Sequence, residues 1–113
     1  MEPRLKSGLR VKALIRRCDL AAIGVAVAAR GDADAGAVLL KLNGRDGGCV
    51  VLAEARLPDG AAIWLRATGA APVGESEADS YIARQRRRDP DLWVIEIDSL
   101  AIEALVDLPV VSG

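Results

Sequence analysis

The sequence contains no histidine, and this absence excludes several kinds of active site. Without an imidazole there is no serine–histidine or cysteine–histidine pair and no histidine ligand for a metal ion. The serines also lack the G-x-S-x-G turn that exposes a nucleophilic serine in many hydrolases. The sequence therefore favours a protein that is not an enzyme, with no metal site and no cofactor.

Cysteine is scarce, with only Cys18 and Cys49 in the chain. A zinc site needs closely spaced cysteines or histidine partners, and small secreted domains that depend on disulfides carry more cysteines than this. Both cysteines fall on apolar faces of predicted elements. We therefore interpret them as buried thiols of a cytoplasmic protein, with a disulfide or a redox pair as the alternative.

Long apolar runs and an excess of basic charge are also missing. The longest weakly polar stretch, residues 20–29, is too short to span a membrane and is interrupted by Gly24. Fifteen lysines and arginines are balanced by 16 acidic residues, and aromatic residues make up only 3% of the chain. Nucleic-acid binding usually requires basic surface and aromatic side chains for stacking. We therefore expect neither a membrane nor a nucleic acid as the main partner.

The overall composition is that of a globular protein. A chain of 113 residues with 51% apolar and 27% charged residues predicts one domain, 1–113, with flexible ends at 1–6 and 108–113. The charge is uneven, because residues 1–17 hold six basic residues and one acidic residue, whereas residues 89–113 hold six acidic residues and no basic one. This asymmetry favours contact between chains or between the two ends of one chain, although solvated surfaces are the simpler interpretation.

Hydrophobic periodicity predicts two helices and five strands. Apolar residues at helical spacing predict a helix over 8–22 with Ser7 as its N-cap. A capping box at Ser76 predicts a second helix, which ends before Asp89-Pro90. Alternating or β-branched runs predict strands at 25–29, 38–42, 49–54, 61–67 and 92–97. Residues 100–106 predict a short last helix with Asp98 or Ser99 as its cap.

The resulting order, α-β-β-β-β-α-β, predicts an α+β fold. Short connections join the four strands between residues 25 and 67, and such connections are typical of antiparallel neighbours. We therefore expect a mainly antiparallel sheet with the helices packed on one face.

A dense group of arginines follows in the second helix. Guanidinium groups bind phosphates through paired hydrogen bonds, so this group could hold a nucleotide or a nucleic-acid backbone. The simpler interpretation is that the charges complement the negative end of the helix dipole. The candidate binding residues are Arg84, Arg86, Arg87 and Arg88, with Arg16 and Arg17 as further candidates.

Apolar strand residues suggest an interface. A chain of this size can leave part of its sheet uncovered, and exposed apolar surface marks sites of association. We expect such a face to carry Val50, Leu52, Trp64 and Val94.

Two strand carboxylates offer a possible acid–base pair. Glu54 and Glu96 lie on the polar faces of their predicted strands, and neighbouring strands could bring them together to share a proton. Exposed carboxylates on a sheet surface are the simpler interpretation.

Two stretches of the sequence resemble a known family of short bacterial proteins. The first combines residues 9–17 with the segment RGDADAGAVL at 30–39, and the second combines YIARQ at 81–85 with DPDLWVIE at 89–96. Together they resemble domain of unknown function family 1491, which is found mainly in alphaproteobacteria. The resemblance covers residues 5–98, and the tail from Ser99 lies outside it. It implies a free-standing cytoplasmic domain and brings no activity, ligand or catalytic residue.

These observations favour a non-enzymatic module that binds another protein or itself. A homodimer is the first form to expect, because two-fold pairs are the commonest assembly. The alternative is a protein that binds a phosphate-bearing ligand or a nucleic acid through arginines 84–88, with an affinity that falls steeply as salt rises.

Overall fold

Two helices and a six-stranded mixed sheet form the computed structural model, which describes residues 5–112. The α+β class predicted from the sequence is confirmed. Within these residues, no helix combines the length and the apolar character that crossing a membrane requires. The elements are α1 (Ser7–Leu20), β1 (Val25–Ala29), β2 (Val38–Asn43), β3 (Cys49–Arg56), β4 (Ala62–Arg66), α2 (Glu75–Arg88), β5 (Trp93–Ile97) and β6 (Val110–Ser112), with a 3-10 turn at Arg45–Gly47.

The strands lie in the order β1-β5-β2-β3-β4-β6. Strands β2, β3 and β4 form the antiparallel meander that their short connections predict. Strand β5 is antiparallel to β1 but parallel to β2, and β6 is parallel to β4. The prediction of a mainly antiparallel sheet is therefore wrong. The helix α2 returns the chain across the sheet, so that β5 separates β1 from β2 and runs in the same direction as β2.

The two helices cover opposite faces of the sheet. Val38, Leu40 and Leu42 of β2 pack in the same core cluster as α1, whereas Leu39 packs in the cluster that contains α2. The prediction that both helices pack on one face is wrong. Strands β2, β3 and β5 carry apolar residues at consecutive positions, and a strand that is buried on both faces needs a cover on each side.

The predicted helix starts differ from the observed ones in how the first turns are capped. Ser7 is the first residue of α1, and its hydroxyl donates a hydrogen bond to the Gly36 carbonyl instead of capping the helix. Helix α2 begins at Glu75 after Gly74, one residue before the predicted cap at Ser76. Helix α1 therefore begins one residue before its predicted first residue, and α2 begins two residues before the residue that follows the predicted cap.

The C-terminal segment lies across the face that α1 covers. Ile102 is buried in that core cluster and Leu105 packs against it. Residues 100–106 contain turns and no helix, so the predicted last helix is wrong. Within the predicted flexible end 108–113, residues 110–112 form β6. This end of the chain pairs with β4, and the backbone N–H of Trp64 donates a hydrogen bond to the Pro109 carbonyl at 2.8 Å. Residues 1–4 of the other predicted flexible end, and Gly113, lie outside the described residues.

Candidate functional site

One edge of the sheet is an open apolar strand. Strand β1 consists of valine and alanine only, and it pairs with β5 on one side. The backbone N–H of Asp98 donates to the Gly24 carbonyl at 2.9 Å, so the backbone groups of Gly24 point toward β5. Because alternate residues of an antiparallel strand point their backbone groups to the same side, those of Ala26 also point toward β5. The N–H and C=O groups of Val25 and Val27 therefore point away from the sheet. No other backbone within residues 5–112 bonds to them, so they form a template for a further strand.

A β-bulge limits the length of this open edge. The register with β5 shifts between Val27 and Ala29, which makes Ala28 the additional residue. Proteins commonly protect edge strands with charged residues, prolines or bulges. Strand β1 has the bulge but neither charge nor proline, so the stretch from Val25 to Val27 remains flat and open to pairing.

A groove of about 370 Å³ lies between β1 and α1. Its apolar lining includes Leu9, Ile15, Val27 and Trp93. Leu9 is 52% exposed and Val27 is 45% exposed, which is high for side chains of this size. An apolar groove beside an open strand provides what strand addition uses, namely backbone hydrogen bonds at the edge and a pocket for a side chain.

Two of the large exposed apolar side chains, Leu9 and Val27, line this groove. Four of the five large apolar residues that are exposed in the described chain lie in β1, in α1 or just before α1. The five are Leu5, Leu9, Leu20, Val27 and Leu57. Neighbouring exposed apolar side chains such as Leu9 and Val27 are typical of interaction surfaces. We define the open edge of β1 together with the neighbouring groove as the edge surface.

The two ends of β1 carry opposite charges. Arg30 directly follows β1, and its guanidinium carbon lies 5.7 Å from the centre of the Trp93 ring. Asp98 lies at the other end, next to Gly24, the residue that precedes β1. A Cβ atom at Gly24 would lie only 2.6 Å from a carboxylate oxygen of Asp98. Both side chains are exposed, and neither forms an ion pair within residues 5–112.

The sheet residues predicted to form an interface are interior residues. Val50, Leu52, Trp64 and Val94 are each at most 2% exposed. The first three pack in the α1 cluster and Val94 packs in the α2 cluster, so they do not share a face. The prediction of an exposed sheet face at these positions is wrong, because the helices and the C-terminal segment cover both faces.

The predicted arginine cluster lies on the last two turns of α2. Its four side chains are exposed, and none forms an ion pair or hydrogen bond in the part of the chain that the structure describes. The last three occupy the final turn, where positive charge stabilises a helix. The four are Arg84, Arg86, Arg87 and Arg88.

The other two candidate arginines lie apart from this cluster. Arg16 and Arg17 belong to α1, which is separated from α2 by the sheet. Arg17 Nε donates to the Leu105 carbonyl, so this side chain fastens the C-terminal segment to α1. The structure does not bring the two groups of arginines together.

A buried lysine on the α2 face was not identified from the sequence. The Lys41 side chain is only 6% exposed, and its Nζ lies 2.7 Å from Glu75 Oε2 and 2.8 Å from Asp79 Oδ1. Burial alone would lower the pKa of Lys41, but hydrogen bonds to Asp79 and Glu75 and the charge of Glu96 raise it above its ordinary value. Lys41 therefore stays protonated and connects the sheet to α2. In the sequence, the feature that indicates this role is a lysine within the otherwise apolar run of β2.

Glu54 and Glu96 lie on opposite faces of the sheet. Glu54 Oε1 lies 2.7 Å from Arg10 Nη1 on the α1 side. Glu96 lies on the α2 side, with Oε1 3.6 Å from Lys41 Nζ. The hypothesis that these two carboxylates share a proton is therefore wrong.

Arg10 and Asp107 join the basic N-terminal part of the chain to the acidic C-terminal part. Arg10 Nε donates to Asp107 Oδ2 at 2.9 Å, and Trp64 Nε1 donates to Asp107 Oδ1 at 3.1 Å. Burial alone would raise the pKa of Asp107, but the hydrogen bond and charge of Arg10 and the bond from Trp64 lower it. These two charges are paired within one chain, so the interpretation of fully solvated ends does not hold for them.

Both cysteines are buried thiols, as the sequence predicts. Cys18 packs in the α1 cluster and Cys49 in the α2 cluster, so the sheet separates them and both are free. Burial raises the pKa of each thiol. Neither thiol lies on the edge surface.

Comparisons with known proteins show one family and several similar structures. The family model described as "Protein of unknown function (DUF1491)" matches residues 5–107. A crystal structure of a DUF1491 family protein from Caulobacter crescentus CB15 is 37% identical, with a TM-score of 0.83, and the match covers 96% of this chain and 100% of that chain.

Two solution structures are also similar to the chain. An NMR structure of a DUF1491 family protein from Caulobacter crescentus CB15 is 36% identical, with a TM-score of 0.81 and coverage of 97% of this chain and 99% of that chain. A solution structure of a protein from A. tumefaciens is 32% identical, with a TM-score of 0.77 and coverage of 94% and 95%. No curated protein matches the chain.

Proposed function

Since this chain belongs to the DUF1491 family of proteins of unknown function, we propose a function from its own structure: it is a non-enzymatic module that binds a protein strand at the edge surface. The resemblance of residues 30–39 and 89–96 to this family is confirmed. The family match also extends to residue 107, beyond the point at which the sequence resemblance ends. The family brings no activity that could be carried over.

The open edge of β1 is the observation that carries this proposal. Val25 and Val27 direct backbone donors and acceptors outward, and β1 has no charged side chain that would oppose a further strand. Added strands gain affinity from main-chain hydrogen bonds and specificity from pockets for alternate side chains. The groove beside Val27 would supply such a pocket.

The same proposal places the protein in the cytoplasm. Its two cysteines are free and lie on opposite faces of the sheet. A chain that relied on an oxidising compartment for its stability would be expected to pair its cysteines.

Native purification of three proteins tests the proposal. Val27→Lys places a charge on the edge surface, and Leu57→Lys makes the same kind of change at an exposed apolar residue outside it. Light scattering gives the mass of each protein, and mass spectrometry identifies what co-elutes. We expect the wild type and Leu57→Lys to associate, with a second copy or with a stoichiometric protein, and Val27→Lys to elute as a lone monomer. A wild-type protein that elutes alone as a monomer, or association that survives Val27→Lys, would contradict the proposal.

A second candidate function is supported by the arginine cluster on α2. Four exposed guanidinium groups without an ion pair within residues 5–112 are suited to a phosphate-bearing ligand or a nucleic acid. Titration of a short single-stranded oligonucleotide and of a nucleoside triphosphate tests this function. It predicts binding that weakens as salt rises and after the double change Arg87→Ala and Arg88→Ala. Absence of binding to both probes would remove this candidate.

A further inference from the structure

We infer that the strand bound at the edge surface is acidic: one large apolar side chain fills the groove between β1 and α1, and aspartate or glutamate side chains lie on either side of it. This inference rests on the proposed function and specifies the chemistry of the partner. Its basis is the charge around the groove, which is independent of the open backbone groups that support strand binding.

Positive charge surrounds the apolar groove. Among the described residues that line it, three are basic and one is acidic. The acidic residue is already engaged, because Asp34 Oδ1 lies 3.5 Å from Lys6 Nζ. Neither Lys12 nor Arg30 forms an ion pair within residues 5–112. A basic peptide would therefore meet like charges here, whereas an acidic peptide would meet two cations that have no counter-charge.

Arg30 is held at the wall of the groove. Its guanidinium carbon lies 5.7 Å from the centre of the buried Trp93 ring, a distance that is typical of a cation–π contact. The Trp93 indole N–H in turn donates to the Asp32 carbonyl at 2.7 Å, which fixes the ring. A guanidinium that is already placed loses less side-chain entropy on binding, and it can hold a carboxylate through two parallel hydrogen bonds. Arg30 is therefore suited to receive an acidic side chain of the partner.

The alternation of a strand puts the required side chains on one face. Val27 lines the groove and Val25 packs against the core cluster of α1, so both side chains point to the face that α1 covers. A partner residue opposite Val27 points to the same face, and so do the residues two positions before and after it, each about 7 Å away. The central residue would enter the groove, and its two neighbours would lie toward the basic rim. The expected partner sequence therefore has an acidic residue two positions before and two positions after a large apolar one.

Titration of the isotope-labelled full chain with synthetic peptides, followed by NMR, tests this inference. The first probe is the acetylated and amidated heptapeptide Thr-Glu-Thr-Leu-Thr-Glu-Thr. In the second probe lysine replaces both glutamates, and in the third serine replaces the leucine. The indole N–H of Trp93 reports on the groove, and that of Trp64, three strands away, is the internal control. We expect the first peptide to shift the signals of Val27 and of the Trp93 indole, and to bind about tenfold more tightly than the other two.

Charge reversal in the protein supplies the matched test. The double variant Lys12→Glu and Arg30→Glu should bind the lysine peptide about tenfold more tightly than the glutamate peptide. Arg16→Glu is the control, because Arg16 is exposed on the same helix and does not line the groove. It should keep the wild-type preference. If loss of the Arg30 contact with Trp93 unfolds the double variant, Lys12→Glu alone should still reduce the preference for the glutamate peptide.

The outcomes separate this inference from the proposed function. Equal binding of the glutamate and lysine peptides, with shifts at Val27, overturns the acidic partner and leaves strand binding at the edge surface in place. Absence of shifts at Val27 and the Trp93 indole with every peptide also overturns it, and native purification with Val27→Lys then tests the proposed function separately. Shifts confined to α2 would place the acidic peptide on arginines 84–88 and overturn it as well. A preference for the glutamate peptide that charge reversal inverts supports the inference.

Discussion

Individual paired charges in this protein stabilise the fold, and the partly exposed Asp107 shows how. The carboxylate accepts hydrogen bonds from Arg10 on α1 and from Trp64 on β4, so one side chain joins a helix, a strand and the C-terminal segment. These partners lower the pKa of Asp107 against the opposing effect of burial. A carboxyl whose pKa is lower in the folded state stabilises the fold above its unfolded pKa and loses that contribution as the pH falls.

The first prediction concerns this pH dependence. We expect the free energy of unfolding of the wild type to decrease as the pH falls below about 4, and the difference from Asp107→Asn to shrink in the same range. At neutral pH the variant should be less stable, because Arg10 loses a charged partner. Urea unfolding of both proteins across this range measures the difference. An equal difference at neutral and at acid pH would contradict the role assigned to the ionised carboxylate.

Lys41 provides the corresponding test on the other face of the sheet. Its ammonium group neutralises carboxylates from both α2 and β5. Lys41→Met leaves those carboxylates without their counter-charge, and we expect a loss of about 1–3 kcal/mol in the free energy of unfolding. Lys12→Met, at an exposed position on α1, should change stability by no more than about 0.5 kcal/mol. If thermal or urea unfolding gave equal losses of stability for Lys41→Met and Lys12→Met, Lys41 would behave as a surface charge.

At the scale of elements, the loop between β1 and β2 is held against the segment that leads into β5. The Asp32 N–H donates to the Asp91 carbonyl at 2.9 Å, and Trp93 Nε1 donates to the Asp32 carbonyl at 2.7 Å. A Cβ at Gly31 would come within 2.3 Å of the Asp91 carbonyl oxygen. This close approach explains why glycine occupies the position and why the end of β1 is firmly placed.

A substitution at Gly31 tests this packing. Gly31→Ala forces two backbone segments apart, and we expect it to destabilise the protein by about 1–3 kcal/mol. Gly47→Ala is the control, since a Cβ there meets only Leu100 at an ordinary 3.5 Å. Differential scanning calorimetry should show a lower Tm for Gly31→Ala and little change for Gly47→Ala. A Tm for Gly31→Ala equal to that of the wild type would contradict the close approach.

The periodicity of the sequence predicts individual elements well and their arrangement poorly. Strands β1 to β5 and both helices follow from the local spacing of apolar residues, because each pattern depends on neighbours along the chain. The order of the strands depends on contacts between distant segments, such as β5 beside β2. The three-residue strand β6 follows Pro109 and is too short to show alternation.

The same limitation applies to the candidate site. The residues of β1 are predicted as a strand, but its position at an open edge depends on β5 lying between it and β2. Val50 and Leu52 are apolar strand residues like Val25 and Val27, and the sequence cannot show which strand remains at the edge. Consecutive apolar residues in β2, β3 and β5 were the available signal that both faces of the sheet are covered.

The whole molecule combines a core that is closed on both faces with one open apolar edge. Ion pairs within the chain connect α1 to the C-terminal segment and α2 to the sheet, whereas Arg30 and Asp98 at the ends of β1 form none within residues 5–112. The open backbone edge of β1 is the basis for proposing an interaction function.

Hydrogen exchange at the backbone amides of Val25 and Val27, followed by NMR at low and high protein concentration, tests the central claim most directly. These amides point out of the sheet in the single chain and become bonded when a strand is added. We predict that their exchange slows when the protein associates with itself or with a partner, while the exposed amide of Asp59 in the β3–β4 turn is unaffected. An associated protein in which Val25 and Val27 exchange as fast as in the monomer would contradict binding at the edge surface.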